Sequence, residues 1–177
     1  MAIDGESDTA RPITIESATL EDAAEMQRLA EASGVLDVNS RYAYLLCCSL
    51  FRHTCRVARK GGDVVGFVTA MRKPEAAPVL FVWQVAVDSS VRGQGLGPRM
   101  LTDLIDAECA DGVRFVEATV SPGNAASYRM FEKAARNSSA VITRKDGFPA
   151  ALFEPEAHEP EDLVLIGPIY PAGDADR

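Results

Sequence analysis

One segment of the sequence combines residue types and spacing that suit phosphate binding. It follows the apolar run Leu80–Val87 and consists, in order, of Arg92, Gly93, Gln94, Gly95, Leu96 and Gly97. Glycine lets a backbone approach an anion closely, and a helix that begins at such a turn directs unpaired N–H groups and the positive end of its dipole at the ligand. No lysine follows Gly97 as a P-loop requires, and the glycines are not spaced as in a dinucleotide-binding fingerprint. We therefore predict that the segment binds the pyrophosphate of a nucleotide, the alternative being a turn without a ligand.

Two carboxylates occupy unusual positions in the sequence. Glu117 lies in the middle of the apolar segment Phe115–Val120, and Asp37 lies just before a predicted helix. A carboxylate can hold an ammonium group or accept a proton, and amine chemistry requires both. Glu117 faces either a site or solvent at a sheet edge. Asp37 either binds a ligand or caps the helix, although Asn39 and Ser40 compete for the cap.

A sheet must hold these residues in place, and the sequence predicts strands and helices along most of the chain. Apolar, β-rich segments predict strands at Cys55–Arg59, Val64–Met71, Val79–Val87, Arg114–Val120, Ala140–Thr143 and Leu163–Ile166. Helical spacing and capping residues predict helices between Thr19 and Gly34, from Tyr42 to Phe51, from Gly97 to Gly112, and from Asn124 to Ala135. Residues 136–162 carry no clear pattern beyond the short strand, and the chain around Pro149 and Pro155 is expected to be irregular. The order of elements predicts an α/β (α+β) fold, in which helices cover a mixed sheet.

The composition predicts a single globular domain and excludes several classes of partner. The chain has 177 residues, is 47% hydrophobic and carries a net charge of −8. Nucleic acids and anionic membranes both require clustered lysine and arginine, so we expect neither as a partner. The four cysteines show no C-x-x-C spacing and there are only two histidines, which predicts buried, reduced thiols and no metal site. Without a signal peptide or a long apolar run, the protein is predicted to be cytoplasmic.

The glycine-rich turn resembles a known family. The pattern Arg92-x-x-Gly95-x-Gly97 after Val85-Ala86-Val87 is similar to the coenzyme A pyrophosphate loop of the GNAT N-acetyltransferase superfamily. The resemblance implies a single mixed, mostly antiparallel sheet that splays between Leu80–Val87 and Arg114–Val120, with pantetheine in the gap. It also implies that backbone groups of the first strand pair with pantetheine, and that coenzyme contacts come from Val85, Ala86, Val87, Arg92, Gly93, Gln94, Gly95, Leu96 and Gly97.

A second segment matches the same family, with one departure. Asn124-Ala125-Ala126-Ser127 begins a predicted helix and resembles the superfamily's second coenzyme motif, so contacts from Asn124 and Ser127 are implied. Phe131 stands where the family usually has a tyrosine that protonates the leaving thiolate. Phe131 would contact the coenzyme but cannot donate a proton. The candidate donors are therefore Tyr128, one turn earlier, solvent and the substrate.

Two further segments bring the resemblance closer. Leu36–Tyr42, with the pattern Leu-Asp-x-Asn-Ser-x-Tyr, and Phe81–Val85, with Phe-Val-Trp-Gln-Val, look like the L-2,4-diaminobutyrate acetyltransferases of ectoine biosynthesis. The similarity spans residues 13–168, taken as one domain between flexible ends at 1–12 and 169–177. It implies that a homodimer transfers the acetyl group of acetyl-CoA to the 4-amino group of L-2,4-diaminobutyrate. The alternatives are acetylation of another amine or of a protein terminus, and a non-catalytic acyl-CoA-binding module.

That substrate would need an acid to hold one ammonium, a base for the other and a partner for its carboxylate. We assign Glu117, next to the splayed strands, as the base and Asp37 as the anchor for the 2-ammonium, although the two roles could be exchanged. Further substrate contacts are expected from Asn39, Tyr42, Trp83, Thr119 and His158. Arg72 competes with His158 for the substrate carboxylate.

Overall fold

The computed structural model describes residues 11–75, 78–155 and 158–171. Within these ranges the strands are β1 (Ile13–Ser17), β2 (Arg56–Lys60), β3 (Asp63–Arg72), β4 (Val79–Val87), β5 (Phe115–Val120), β6 (Ile142–Phe148) and β7 (Glu161–Ile166). The helices are α1 (Ala23–Ser33), α2 (Arg41–Leu50), α3 (Leu96–Ala110) and α4 (Ala125–Asn137). None of the helices in the described ranges is long and apolar enough to cross a membrane.

The strands form one sheet in the order β1-β2-β3-β4-β5-β7-β6. Every neighbouring pair is antiparallel except β4 and β5, which are parallel. These two strands pair only where Val79–Val82 lies beside Phe115–Ala118. Beyond that point the two strands diverge, and the rest of β4 forms no pairs with β5. The predicted mixed, mostly antiparallel sheet with two splayed central strands is confirmed.

Helices cover both faces of the sheet, and each face has its own hydrophobic core. On one face α1 and α2 pack over buried side chains such as Phe67 and Ala86. On the other face α3 and α4 pack over buried side chains such as Leu80 and Val82. Removal of this apolar surface from water on both faces stabilises the central strands, so β4 is a rigid support for the residues it carries.

Local signals in the sequence determine where the first two helices begin and end. Thr19 and Asp22 form a capping box in the turn that leads into α1, as the sequence predicts. Gly34 ends α1 in the left-handed conformation, with φ +69°. Ser40 caps α2 by accepting a hydrogen bond from the backbone N–H of Ala43. Because Ser40 fills this position, Asp37 is not needed as a helix cap.

The structure differs from the sequence-based assignment at both ends of the sheet. The short edge strand β1 was not predicted, and β6 extends to Phe148 although its charged, exposed residues have little strand propensity. β7 begins two residues earlier than predicted, at Glu161. Ile169, which the sequence assigned to a flexible tail, is 2% exposed and its N–H donates to the carbonyl of Arg114. Most of both predicted flexible ends, 1–10 and 172–177, lies outside the described residues.

Candidate active site

Two adjoining cavities open where β4 and β5 diverge. The first, of about 450 Å³, lies between the divergent strands and is called the acid cavity here because Asp37 and Glu161 line it. The second, of about 590 Å³, lies against the glycine-rich turn and is called the loop cavity. The two cavities share lining residues, among them Val85, Asn124 and Ser127. They are therefore two compartments of one cleft.

The loop cavity contains nearly all of the residues predicted to contact a coenzyme. Its lining includes Val85, Ala86, Val87, Arg92, Gly93, Gly95, Leu96, Gly97, Asn124 and Ser127. Gly93 and Gly95 have φ of +78° and +73°, a backbone conformation that side chains disfavour, so the turn requires glycine at both positions. α3 begins at Leu96, so the first amides of its first turn have no intrahelical acceptor. The exposed Gln94 is the one residue of the turn outside the lining.

Close packing of α3 on α4 places further cations at this cavity. A Cβ on Gly97 would lie 2.8 Å from the sulfur of Met130, so only glycine allows the two helices to approach this closely. Arg129 and Lys133 of α4 line the loop cavity, and the Lys133 ammonium lies 3.4 Å from where a Cβ on Gly95 would stand. Neither residue was expected from the sequence to contact a ligand. Their only signal is a spacing of four residues, which puts two positive side chains on one face of α4.

The acid cavity brings together Asp37, Trp83, Thr119 and His158 of the predicted substrate contacts, together with Phe131. Trp83 is 39% exposed and forms part of the wall. Its side chain is therefore available to a ligand rather than packed in the core.

Two other predicted contacts lie outside this lining. Asn39 donates a 3.3 Å hydrogen bond to the backbone carbonyl of Asp37, so it contributes to the shape of the loop that carries Asp37. Tyr42 is 67% exposed and lines neither cavity. Contact of Asn39 or Tyr42 with a substrate stays a prediction.

Glu117, the predicted base, also lies outside the lining of both cavities. Its carboxylate forms a 2.7 Å ion pair with the ammonium of Lys73, which comes from the end of β3. The Lys73 ammonium thus occupies one of the two carboxylate oxygens of Glu117. Arg72, the competing partner for the substrate carboxylate, instead pairs with Glu108 of α3. Both side chains thus form ion pairs and lie outside the lining of either cavity, and their predicted roles as base and as carboxylate partner stay predictions.

Glu161 is the carboxylate that sequence analysis missed. It begins β7, lines the acid cavity and has a side chain that is only 15% exposed. Ser121, which directly follows β5, donates a 2.6 Å hydrogen bond to its Oε1. In the sequence Glu161 belongs to an acidic stretch that looks like solvated surface. The only signal for it is its position just before the apolar run Leu163–Ile166.

His158 lies beside this carboxylate. Its Nε2 is 3.9 Å from Glu161 Oε1, and its ring stacks on Phe153 at a centroid distance of 4.2 Å. Stacking fixes the plane of the imidazole, so its ring nitrogens have a restricted direction. Its Nδ1 lies 2.5 Å from the carbonyl oxygen of Glu159, so Nε2 is the ring nitrogen left to face the acid cavity, and contact of His158 with a substrate carboxylate stays a prediction. Within the described ranges, no cluster of histidine, cysteine, aspartate or glutamate side chains has the grouping of a metal site.

Tyr128 is buried at the end of the sheet and is not among the residues that line either cavity. Its hydroxyl lies 3.0 Å from the carbonyl oxygen of Val120 and 2.8 Å from a carboxylate oxygen of Asp162. The guanidinium of Arg144 covers its ring at 3.3 Å. Burial, followed by the hydrogen bond with Asp162, raises the pKa of Tyr128 to about 12. This geometry favours a structural role for Tyr128 over the predicted role as proton donor.

Comparisons with known proteins agree with this geometry. Residues 20–135 match the model of the acetyltransferase (GNAT) family. The chain is 47% identical over 150 residues to an L-2,4-diaminobutyric acid acetyltransferase of Nocardia farcinica, covering 85% of this chain and 77% of the relative. It is 44% identical over 159 residues to the enzyme of the same name from Halalkalibacterium halodurans, covering 90% of this chain and 84% of the relative.

A solved structure is similar over nearly the whole fold. Diaminobutyrate acetyltransferase EctA from Paenibacillus lautus, in complex with its substrate L-2,4-diaminobutyric acid and coenzyme A, superimposes with a TM-score of 0.85. The sequence identity is 41%, and the match covers 90% of this chain and 96% of that one. Fold, family model and relatives agree, and the chain belongs to the acetyltransferase (GNAT) family, within which its relatives are the diaminobutyrate acetyltransferases.

Proposed function

We propose that this chain transfers the acetyl group of acetyl-CoA to the 4-amino group of L-2,4-diaminobutyrate, giving N4-acetyl-L-2,4-diaminobutyrate for ectoine biosynthesis. The observation that carries the proposal is the cleft itself. A compartment lined by the acidic residues Asp37 and Glu161 adjoins a second compartment built on a glycine-rich helix N-terminus. The first suits a small diamine and the second suits a diphosphate.

The loop cavity fits the coenzyme in its backbone and its charge. The left-handed Gly93 and Gly95 expose main-chain amides that a side chain would cover, and α3 begins directly after them. The cations Arg92, Arg129 and Lys133 in the lining offset the negative charge of the phosphates. Val85 and Val87 pair with β3, but beyond Val82 the other edge of β4 has no strand beside it. This open edge can pair with the pantetheine arm as an added strand.

The acid cavity supplies complementary groups for every charge of diaminobutyrate. Asp37 holds the 2-ammonium, and His158 and Asn124 lie within the same cavity as partners for the substrate carboxylate. Glu161 then faces the 4-amino group. Trp83 and Thr119 bound the remaining space, which restricts how the carbon chain can lie. In this arrangement Glu161 takes the place that sequence analysis gave to Glu117.

The chemistry requires an amine without its proton. An alkyl ammonium has a pKa of about 10, so it is mostly protonated at neutral pH. Glu161 accepts that proton, directly or through water, and the freed lone pair attacks the thioester carbonyl carbon. Once the new C–N bond has formed, the nitrogen gives up its second proton, and the C–S bond breaks so that the sulfur leaves with the bonding electrons and takes up a proton. The products are the N4-acetyl compound and free coenzyme A, so no other reactant is needed.

The leaving thiolate needs little help from an acid. A thiol has a pKa of about 8.5, so its thiolate is a good leaving group at neutral pH. Phe131, which lines the acid cavity, has no proton to give, and Tyr128 is held by Val120 and Asp162. We therefore propose that the proton reaches the sulfur from solvent or from the ammonium of the substrate.

A thiol-release assay with acetyl-CoA and a panel of amines tests the proposed function. L-2,4-Diaminobutyrate should be the preferred substrate, and NMR of the product should place the acetyl group on N4. Faster release with a peptide amine or spermidine would favour the alternative acetyltransferase. Tight binding of acetyl-CoA without release by any amine would favour a non-catalytic acyl-CoA-binding module.

Two expectations from the sequence stay predictions. The first is a homodimer, which light scattering of the purified protein tests. The second is a cytoplasmic location without nucleic-acid or membrane partners, which the net charge of −8 supports. Cell fractionation and a binding assay with DNA and anionic vesicles test it.

A further inference from the structure

A buried amide interrupts the apolar strand beside the acid cavity. Gln84 lies in the segment Phe81–Val87 of β4, and its side chain is 4% exposed. Burial of an amide costs free energy unless its donors and acceptor find partners. We therefore expect hydrogen-bonding partners for both the NH2 group and the carbonyl oxygen of the Gln84 side chain.

An irregularity in β4 determines which way Gln84 faces. Along β3, Thr69 pairs with Gln84 but the next residue, Ala70, pairs with Val82, so β4 has one extra residue at Trp83. Such a bulge reverses the side of the sheet on which the following side chains lie. Val82 belongs to the core under α3 and α4. Gln84 instead contacts Tyr44 of α2, on the opposite face.

Both ends of the Gln84 amide are occupied. Its Nε2 donates a 2.8 Å hydrogen bond to the backbone carbonyl of Asp37. Its Oε1 accepts a 3.1 Å hydrogen bond from the hydroxyl of Tyr44, which is 1% exposed. The carbonyl of Asp37 can only accept, so this contact fixes the orientation of the amide. Gln84 thus joins a rigid central strand to the α1–α2 loop, residues 35–39, which carries Asp37.

We propose that Gln84 is a positioning residue for substrate recognition. It acts through the Asp37 main chain and sets the place of the Asp37 carboxylate in the acid cavity. Asp37 follows Val35 and Leu36, which line both cavities, so a shift of this loop would change the shape of the whole cleft. The hydrogen bond from Gln84 holds the loop to the sheet. The buried side chain of Tyr44 also hydrogen bonds this loop, at Asn39, but it comes from α2, whereas Gln84 joins the loop to the sheet. This inference rests on the proposed function, because it assigns the substrate ammonium to Asp37.

The test compares Gln84→Met, which keeps the length of the side chain, with Tyr44→Phe, which leaves the contact with Asp37 in place. Gln84→Met should raise KM for diaminobutyrate by about tenfold or more, with KM for acetyl-CoA changed less than about twofold. Tyr44→Phe should change KM for diaminobutyrate by less than about threefold. Equal increases in both KM values for Gln84→Met, or the larger effect from Tyr44→Phe, would overturn the proposal.

A double mutant separates positioning from general destabilisation. In an Asp37→Ala background, Gln84→Met should raise KM for diaminobutyrate by less than about twofold, because the group that it positions is gone. An undiminished effect there would mean that Gln84 does not act through Asp37.

Failure of the proposed function has a different signature. If the wild-type protein releases no coenzyme A with diaminobutyrate, the proposed function fails and amide hydrogen exchange becomes the readout for Gln84. Faster exchange at residues 35–39 in Gln84→Met, with Tm within a few degrees of the wild type, would support the anchoring role. Unchanged exchange at those residues would overturn it.

Discussion

Ser121 Oγ lies 2.6 Å from Glu161 Oε1, so a single hydrogen bond joins the end of β5 to the start of β7 at the acid cavity. The Ser121 hydroxyl donates this hydrogen bond and Glu161 Oε1 accepts it, so Ser121 contacts only one of the two carboxylate oxygens. The bond therefore orients a partly buried carboxylate at the wall of the cavity.

Glu161→Gln should abolish most of the activity, because glutamine cannot accept the ammonium proton. We expect kcat with diaminobutyrate to fall by about 100-fold or more, measured by thiol release at saturating acetyl-CoA. Glu117→Gln is the matched control. It breaks a partly exposed ion pair with Lys73, so kcat should change by about fivefold or less. The opposite ranking of the two variants would return the role of base to Glu117.

Asp37→Asn should mainly weaken substrate binding, since it removes a charge that faces an ammonium group. KM for diaminobutyrate should rise by about tenfold or more, and kcat should stay within about threefold of the wild type. Initial rates over a range of both substrates separate these parameters. An unchanged KM for diaminobutyrate would show that Asp37 does not hold the substrate.

Gly93→Ala should weaken acetyl-CoA binding because a side chain is strained at its φ of +78°. Gly112, at the other end of α3, has φ +96°, and like Gly93 it has open space where a Cβ would stand. Both alanine variants should lose about 1 kcal/mol of unfolding free energy. Only Gly93→Ala should raise KM for acetyl-CoA. A similar rise for Gly112→Ala would mean that the loss comes from general destabilisation.

Tyr128→Phe should affect stability more than catalysis. The folded-state pKa of Tyr128 is raised to about 12 from an ordinary value of 10.0, so the folded protein keeps this proton over a pH range in which the unfolded chain loses it. Its contribution to stability is fully present below pH 10 and is lost as the pH rises towards 12. Urea unfolding across this range should show the wild type losing its advantage over Tyr128→Phe. A large fall in kcat at neutral pH without loss of stability would instead identify Tyr128 as the acid.

The coenzyme half of the cleft could be predicted from the sequence because its chemistry depends on the backbone. Glycine is the residue type that adopts positive φ most readily, as Gly93 and Gly95 do here. The helix that follows supplies backbone N–H groups as hydrogen-bond donors for a phosphate. Local signals of this kind need no knowledge of distant parts of the chain. Strand and helix periodicities and caps are also local, and they predicted a mixed sheet covered by helices, whereas the splay of the two central strands was implied by the resemblance to the family.

The amine half was less predictable because it depends on contacts between distant residues. Glu117 is attractive in the sequence as a carboxylate in an apolar strand, but Lys73, 44 residues away, neutralises it. Glu161 looks like solvated surface until the β5–β7 pairing brings it beside Ser121. The direction of Gln84 depends on a bulge in its pairing with β3. Neither ion pairs nor register between strands can be read from spacing along one segment.

The burial of the four cysteines affects how the enzyme tolerates its own thiol product, coenzyme A. Cys47, Cys48, Cys55 and Cys109 are free thiols that are between 0% and 3% exposed. Mixed disulfides form when a thiolate reaches an accessible sulfur, and burial raises the pKa of both Cys48 and Cys109. The hydrogen bond with Cys55 lowers the pKa of Cys47, but the Cys47 side chain is buried as well. Oxidised coenzyme A therefore meets no accessible sulfur on these four residues while the protein stays folded.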